Sequence, residues 1–180
     1  REAMEVAQGK LCMGFLTPIT NRDHRFAAMQ VTNGILGGDV TSKLFQNVRE
    51  KQSLCYSIGS GYYAAKGIVL VSAGIDFDKE DHVRREVLSQ LEGCQLGQIT
   101  DEELSASKQS LLTALRSVQD SPSAMENYYS AITMAQTGRS WETHMDLLAK
   151  VTKEDVVACA KTLELHSTYF LEGGDFCAAL

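Results

Sequence analysis

The chain has 180 residues, of which 44% are hydrophobic, a composition typical of ordinary globular domains and not of disordered segments. Lysine and arginine number 17 against 23 aspartates and glutamates, so the formal net charge at pH 7 is −6. This acidic balance argues against a nucleic-acid partner, because neutralising phosphates requires a cationic surface.

The first residues do not resemble a targeting segment. They read Arg1-Glu2-Ala3-Met4-Glu5, which carries acidic side chains and no apolar stretch, so no signal peptide is predicted. The sequence also starts without an initiating methionine, and we therefore expect a piece of a longer protein. No apolar run reaches the roughly 18 residues that suggest a membrane span, so no membrane partner is expected.

The cysteines favour a reducing compartment. Their number is odd, their spacings are wide, and no C-x-x-C pair occurs. This pattern predicts reduced thiols in a cytoplasmic protein, and neither a disulfide framework nor a zinc ribbon. The five cysteines are Cys12, Cys55, Cys94, Cys159 and Cys177.

The first half of the chain predicts a strand and two helices. A short apolar run predicts a strand over 10–16, and helical spacing predicts a helix over 21–32 that ends in a left-handed turn at Asn33-Gly34. Gly37-Gly38 then predicts a flexible break. An amphipathic helix is predicted over 40–51, with Val40, Leu44, Phe45 and Val48 on one face.

Strands and then helices follow. Residues 56–63 and 68–75 are rich in Val, Ile and Tyr and predict a hairpin. A helix is predicted over 78–94, and three more are predicted to open at Thr100, at Ser121-Pro122 and at Thr152. A last strand over 167–171 is expected to stop at Gly173-Gly174.

This order of elements predicts a single α+β domain over 1–180. Strands joined by a hairpin and a run of helices favour an antiparallel sheet with helices packed on one face, in two layers. Strict β-α-β alternation is absent, so a doubly wound parallel sheet is the weaker alternative.

The usual catalytic motifs are missing from this sequence. Neither H-E-x-x-H nor H-x-x-E-H occurs, and the nearest pattern, His82 and Glu86 on a charged helix face, predicts a solvated surface and no metal site. There is no G-x-S-x-G elbow and no Walker A loop. Cys55 would need a histidine base to act as a nucleophile, and a small core residue is the simpler interpretation.

The stretch from residue 37 to residue 56 is unusual. It places a glycine break, a helix, a charged exit at Arg49 and a strand opening at Tyr56 in succession. Arg49 near a helix C-terminus is favourable for the helix dipole, which is its structural interpretation. Alternatively, Arg49 and Tyr56 at one helix–strand corner could donate hydrogen bonds to a peptide carbonyl or its oxyanion.

Here the sequence resembles the C-terminal, non-zinc half of the insulinase/pitrilysin-type zinc metallopeptidases, the inverzincins. The likeness extends over nearly the whole chain, and the seven-residue separation of Arg49 from Tyr56 is its most specific element. The residue before the tyrosine is more usually small in that family, so Cys55 is a departure. The segments that carry the likeness are Leu36-Gly37-Gly38 with Ser42-Lys43-Leu44-Phe45, Val48-Arg49-Glu50-Lys51 with Leu54-Cys55-Tyr56-Ser57, and Lys66-Gly67 followed by Ala73-Gly74-Ile75-Asp76.

The resemblance implies the two-layer fold of mitochondrial processing peptidase-like domains. It implies that Arg49 and Tyr56 bind substrate, a peptide or unfolded polypeptide, and that this chain carries neither catalytic residues nor metal ligands of its own. Zinc is then expected in the N-terminal half of the parent protein or in a partner chain. A homo- or heterodimer is compatible with this organisation.

Three functions follow, in decreasing order of support. The first is the substrate-binding half of a zinc-dependent endopeptidase, and the second is a catalytically inactive homologue that binds peptides or serves assembly. An H-x-x-E-H motif in the parent's preceding sequence would favour the first. The third, an independent small hydrolase that uses Cys55 or His82, has the least support.

Overall fold

The computed structural model describes residues 1–173, which form a five-stranded sheet with helices packed against one face. The strands lie in the order β1-β5-β2-β4-β3. Their bounds are Glu2–Met4 (β1), Gly9–Leu16 (β2), Ser57–Tyr63 (β3), Ile68–Ile75 (β4) and Glu164–Gly173 (β5). The α-helices are Phe26–Asn33 (α1), Glu80–Gln95 (α2), Asp101–Ser117 (α3), Pro122–Ala135 (α4), Trp141–Lys150 (α5) and Lys153–Ala160 (α6). Shorter elements are the π-helical segments Gly34–Gly38 and Leu44–Lys51 and the 3-10 turns Phe77–Lys79 and Val118–Asp120.

The pairing of the strands confirms the predicted α+β class. β2 pairs antiparallel with both β4 and β5, and β3 and β4 form the predicted hairpin. The short edge strand β1, which the sequence did not predict, pairs parallel with β5 and makes the sheet mixed.

Alternating burial along the central strands produces the two layers. Leu11, Met13 and Phe15 of β2 are buried, whereas Lys10 and Leu16 are exposed. β4 repeats the pattern, since every second side chain from its second residue onward is buried. Side chains alternate across a strand, so the helices cover one face of the sheet and leave the other largely open.

The predicted helix starts are confirmed where a capping side chain marks them. Thr100 and Thr152 each form a capping box, and Ser121 caps the helix that begins with Pro122. α1 begins later than predicted, because the Asp23 carboxylate accepts a hydrogen bond from the Arg25 amide at 2.8 Å and holds a turn there.

The predicted left-handed stop at Gly34 is wrong. Gly34 has right-handed helical dihedrals (φ −56°, ψ −48°), and the chain continues into the π-helical segment Gly34–Gly38. Close packing explains the glycine at position 34, since a Cβ there would lie 2.2 Å from the hydroxyl oxygen of buried Ser107. That hydroxyl donates to the Val31 carbonyl at 3.1 Å, so it cannot move without losing a buried hydrogen bond.

Replacing Gly34 with alanine is therefore expected to lower the free energy of unfolding by about 2 kcal/mol, as overpacking does in a full core. Urea denaturation of the two proteins measures the difference. Gly138→Ala is the comparison. A Cβ there meets no neighbouring atom, so any stability that this variant loses comes from the strain of its positive φ of 59° and not from packing. A Gly34→Ala protein as stable as the wild type would contradict the packing explanation.

The region from Gly37 to the start of the second π-helical segment also departs from the prediction. Gly37 is buried, and a Cβ there would lie 2.8 Å from the Ser60 amide nitrogen, so this is a packed contact and not a flexible break. The next helix begins at Leu44 and not at residue 40. The Asp39 carboxylate accepts hydrogen bonds from the amide and hydroxyl of Thr41, and this turn leaves Val40 outside the helix and 62% exposed.

One helix was not predicted at all. α5 is capped by Ser140, whose side chain accepts a hydrogen bond from the Thr143 amide, and it buries His144 and Leu148. Within residues 1–173, no helix is both long enough and apolar enough to cross a membrane. Cys12, Cys55, Cys94 and Cys159 are free thiols, whereas Cys177 and the stop at Gly174 lie outside the described residues.

Candidate functional site

The Arg49–Tyr56 corner is formed by a tight turn after the π-helical segment Leu44–Lys51. Ser53 adopts a positive φ of 51°, and its amide donates to the Arg49 carbonyl at 3.1 Å. The Leu54 amide donates to the Val48 carbonyl at 3.1 Å, and the Leu54 side chain is buried. The Tyr56 amide then donates to the Gly74 carbonyl at 2.8 Å, so the tyrosine is held at the entrance to the β3–β4 hairpin.

An ion pair anchors the start of that π-helical segment. The Lys43 side chain is 10% exposed, and its ammonium lies 2.8 Å from the Glu103 carboxylate, which also completes the capping box at the start of α3. Breaking a pair of this kind strands a charge in a poorly solvated place. Lys43 and Glu103 therefore fix the segment that carries Arg49 against α3.

The structure brings the two predicted residues together. Arg49 and Tyr56 line one open pocket of ≈430 Å³. The Arg49 guanidinium lies over the Phe45 ring, 4.6 Å from its centroid, and Glu50 is 3.4 Å away. Tyr56 is 59% exposed, so its ring is accessible to a ligand. The other residues of the pocket are Glu50, Ser53, Leu54, Cys55, Asp76 and Lys79.

The hydroxyl of Tyr56 is already engaged. It donates a short hydrogen bond to the Asp76 carboxylate, which is in turn 2.7 Å from the Lys79 ammonium. The hydrogen bond to Asp76 raises the pKa of Tyr56, and the hydrogen bonds from Lys79 and then Tyr56 lower the pKa of Asp76. Tyr56 therefore stays protonated at neutral pH and acts as a donor to a fixed negative charge.

Sequence reasoning missed Asp76 and Lys79 as members of this pocket. Asp76 stands in the segment Ala73-Gly74-Ile75-Asp76, which carried part of the family likeness, but no role was assigned to it. Its position 20 residues from Tyr56 is explained only by the hairpin, which returns the chain to the same end of the sheet.

The structure gives no support to a nucleophile or a metal site in this part of the chain. Burial raises the pKa of the half-buried Cys55 thiol to about 11, so it is a neutral thiol at physiological pH. His82 is exposed, and its presumed partner Glu86 accepts a hydrogen bond from Gln52 at 2.9 Å. Across residues 1–173 no three His, Cys, Asp or Glu side chains converge as a metal site would require, so these residues do not fit zinc.

These features define a class of domain. It is a two-layer α+β domain with an exposed arginine–tyrosine corner and, over its described residues, no ligand set for a metal. Residues 1–111 match the family described as the peptidase M16 inactive domain. The chain belongs to this family, which confirms the resemblance found in the sequence.

Known relatives agree with this assignment. The chain is 31% identical over 169 residues to the "Probable inactive metalloprotease YmfF" of Bacillus subtilis, covering 94% of this chain and 40% of the relative. It is 32% identical over 162 residues to the "Uncharacterized zinc protease Mb2805c" of Mycobacterium bovis, covering 88% and 37%. A crystal structure of a conserved protein from Enterococcus faecalis V583 superposes with a TM-score of 0.90 at 36% identity, covering 96% of this chain and 41% of that one.

The chain therefore spans about two fifths of the length of these relatives. Two of them are named as metalloproteases, one probably inactive and one a zinc protease, and the names belong to those proteins.

Proposed function

We propose that this domain is the C-terminal, substrate-binding half of a zinc-dependent metalloendopeptidase, and that Arg49 and Tyr56 bind the peptide at the scissile bond. The observation that carries the proposal is the shared open pocket, in which both side chains are accessible and both are hydrogen-bond donors. A peptide carbonyl is an acceptor only, so a site built from two donors suits it.

The two donors have different parts in this proposal. The guanidinium of Arg49 is packed over Phe45, which restricts its position, and it carries a permanent charge that attracts the peptide carbonyl. The phenol of Tyr56 is neutral and retains its proton, so it can stabilise negative charge that develops on the carbonyl oxygen.

The contact with Asp76 sets a condition on this role. A phenol has a single hydrogen to donate, so the Tyr56 hydroxyl must leave the Asp76 carboxylate before it can donate to a substrate oxygen. Lys79 is already paired with Asp76 and keeps that carboxylate hydrogen-bonded when the tyrosine turns away. The exchange then leaves no acceptor unsatisfied, which keeps its cost small.

Zinc belongs to another part of the parent protein in this proposal. Residues 1–173 offer no ligand set, so the metal would be bound by the N-terminal half or by a partner chain, and a relative is named a zinc protease. The N-terminal half is accordingly the first expected partner, with a homo- or heterodimer compatible with it. We place the protein in the cytoplasm on the strength of its cysteine pattern.

A second candidate function is supported by a specific observation: the Bacillus subtilis relative is named a probable inactive metalloprotease. In that case the same corner would bind peptides without cleaving them. Within residues 1–173, β3 is an edge strand of the sheet, and this edge could pair with an extended peptide. Asn33 donates to the Ser60 carbonyl at 3.4 Å, so part of that edge is already occupied.

A fluorogenic peptide assay on the full-length parent protein, with and without a zinc chelator, tests the proposal. We expect hydrolysis that the chelator abolishes and added zinc restores. Peptide binding without any hydrolysis would instead establish the inactive homologue. Hydrolysis that survives the chelator would contradict both functions and would return attention to Cys55.

A further inference from the structure

Two arginines meet in a second pocket, away from the corner described above. Arg22 follows β2, and Arg139 precedes α5, yet both line a pocket of ≈270 Å³ with Ala135, Gln136 and Thr137. The two arginines are 117 positions apart in sequence, so only the fold brings them together.

Both guanidinium groups are held in place by the backbone. The Nε of Arg22 donates to the Ala135 carbonyl at 3.0 Å, and a terminal nitrogen of Arg139 donates to the Asn21 carbonyl at 3.4 Å. Arg139 also lies over the Phe26 ring, 4.7 Å from its centroid. A guanidinium has five N–H donors, so each of these arginines keeps donors for a further partner.

No carboxylate neutralises this pair among residues 1–173. The ion pairs found there involve Arg1, Arg25 and Arg49 but neither Arg22 nor Arg139. Partial burial lowers the pKa of Arg139. By contrast, the hydrogen bond between Arg25 and Asp23 raises the pKa of Arg25. A partly buried cation without a counter-ion is unfavourable, and an added anion would relieve that cost.

An apolar surface adjoins the two arginines. Ala65, Ala131 and Met134 line a second depression that shares Arg22 and Ala135 with the first. Met134 is 79% exposed, which is unusual for a large apolar side chain. A free inorganic anion would gain nothing from this surface, whereas an amino-acid side chain next to an acidic group would bury part of it.

We infer that Arg22 and Arg139 form a binding site for the side-chain carboxylate of an acidic residue in a peptide, with a neighbouring apolar residue packed on Ala131 and Met134. The planar fork of a guanidinium matches a carboxylate, and two forks in one pocket favour a single anionic group.

This site is distinct from the Arg49–Tyr56 corner. The Asn21 amide donates to the Ala64 carbonyl, so Arg22 lies near the turn of the β3–β4 hairpin, whereas Tyr56 lies at its open end. The seven residues of β3 separate the two ends by roughly 20 Å. The inference therefore does not depend on hydrolysis at the corner, and each can fail without the other.

The test uses the 180-residue chain and two short blocked peptides, one with a leucine followed by aspartate and one with asparagine in its place. Isothermal titration calorimetry measures the affinity of each peptide directly. We expect the aspartate peptide to bind about tenfold more tightly than the asparagine peptide, because hydrogen bonds to charged groups are the strong ones.

Arginine variants locate the site. Arg22→Gln and Arg139→Gln are each expected to weaken the aspartate peptide about five- to tenfold, whereas Arg84→Gln, which removes an exposed charge from α2, is expected to change the affinity less than twofold. Arg139→Gln also loses the contact with Phe26 and could fail to fold; in that case Arg22→Gln alone tests whether the pocket binds the peptide.

Three outcomes would overturn the inference. Equal affinity for the two peptides would exclude carboxylate recognition. Equal weakening by Arg84→Gln would reduce the effect to net charge. Inorganic phosphate that binds as tightly as the aspartate peptide and depends on the same two arginines would make this a free-anion site.

Discussion

Replacing Tyr56 with phenylalanine in the full-length parent protein is expected to lower kcat about 10²- to 10³-fold, the typical effect of losing one donor to a developing oxyanion. KM is expected to change far less, because the phenyl ring remains and the removed hydroxyl acts mainly on the transition state. Steady-state kinetics with a fluorogenic peptide measures both constants.

Tyr63 provides the matched control for this substitution. It lies at the other end of β3, is similarly exposed at 56%, and is not part of the corner pocket. Tyr63→Phe is therefore expected to leave kcat within about twofold of the wild type, a change too small to reflect a lost transition-state donor. A Tyr56→Phe protein with normal turnover would refute the oxyanion role, and a change confined to KM would leave Tyr56 a simple binding residue.

Asp76 competes with a substrate oxygen for the Tyr56 hydroxyl. In the free domain its carboxylate accepts the hydrogen bond from Tyr56, and it is fixed by Lys79. If turnover requires the hydroxyl to leave that carboxylate, then the strength of this contact sets how much of the tyrosine is available. The corner therefore contains two hydrogen-bond donors, one of which already donates to the Asp76 carboxylate. The spacing of Arg49 and Tyr56 in the sequence does not reveal this contact.

Much of the fold could be predicted because its signals are local. The strand over 68–75 and the helix starts at Thr100, Ser121 and Thr152 follow from side-chain period and from capping residues, which act over three or four positions. β1 is only three residues long and gains its strand conformation from pairing with β5, so no local pattern announces it.

The errors have more than one physical origin. The late starts at Phe26 and Leu44 arise from local turns at Asp23 and Asp39, whereas the error at Gly34 arises from contact between distant segments. Gly34 suggests a helix stop, yet its neighbour Ser107 is 73 positions away and requires a glycine for packing alone. Likewise α5 is a short helix whose inward residue is a histidine, a polar type that an apolar pattern does not count. Only the structure shows what makes that histidine suitable for the core.

The site divides in the same way. Arg49 and Tyr56 were found through their separation and the family likeness, because both lie on one continuous segment. Asp76 and Lys79 reach them through the register of the β3–β4 hairpin, and Arg22 meets Arg139 only after α4 and α5 are in place. A single sequence shows which residues lie close together on one segment, but it does not show which residues of distant segments the fold brings together.

His144 is a buried titratable group whose pKa affects the stability of the domain. It is 6% exposed and lies against the rings of Phe26 and Tyr128. Its Nε2 is 2.7 Å from the Gln30 side-chain oxygen, and its Nδ1 is 3.2 Å from the Tyr128 hydroxyl. A neutral ring satisfies both contacts, with Nε2–H donating to Gln30 and Tyr128 donating to Nδ1. Burial, and then the nearby Arg139 charge, lower the pKa of His144 from 6.5 to about 4.

The domain is therefore expected to lose stability as the pH falls through the range between those two values. Between pH 6.5 and about 4 the unfolded chain binds a proton at His144, whereas the folded chain does not, so lowering the pH favours unfolding. The shift from 6.5 to about 4 corresponds to about 3 kcal/mol once the pH is below 4, of which about 2 kcal/mol is already lost by pH 5. Above pH 7 the histidine contributes no pH dependence.

Urea denaturation at pH 7.5, 6 and 5 measures this loss, and the comparison of slopes separates His144 from the carboxylates that also titrate in acid. His144→Gln is expected to be less stable than the wild type at pH 7.5 but to lose about 2 kcal/mol less between pH 7.5 and pH 5, because it has no proton to bind. His82→Gln, at an exposed position on α2, is expected to keep the wild-type slope. If His144→Gln and the wild type weaken in parallel, the ring is charged in the folded domain and the neutral hydrogen-bonded arrangement is wrong.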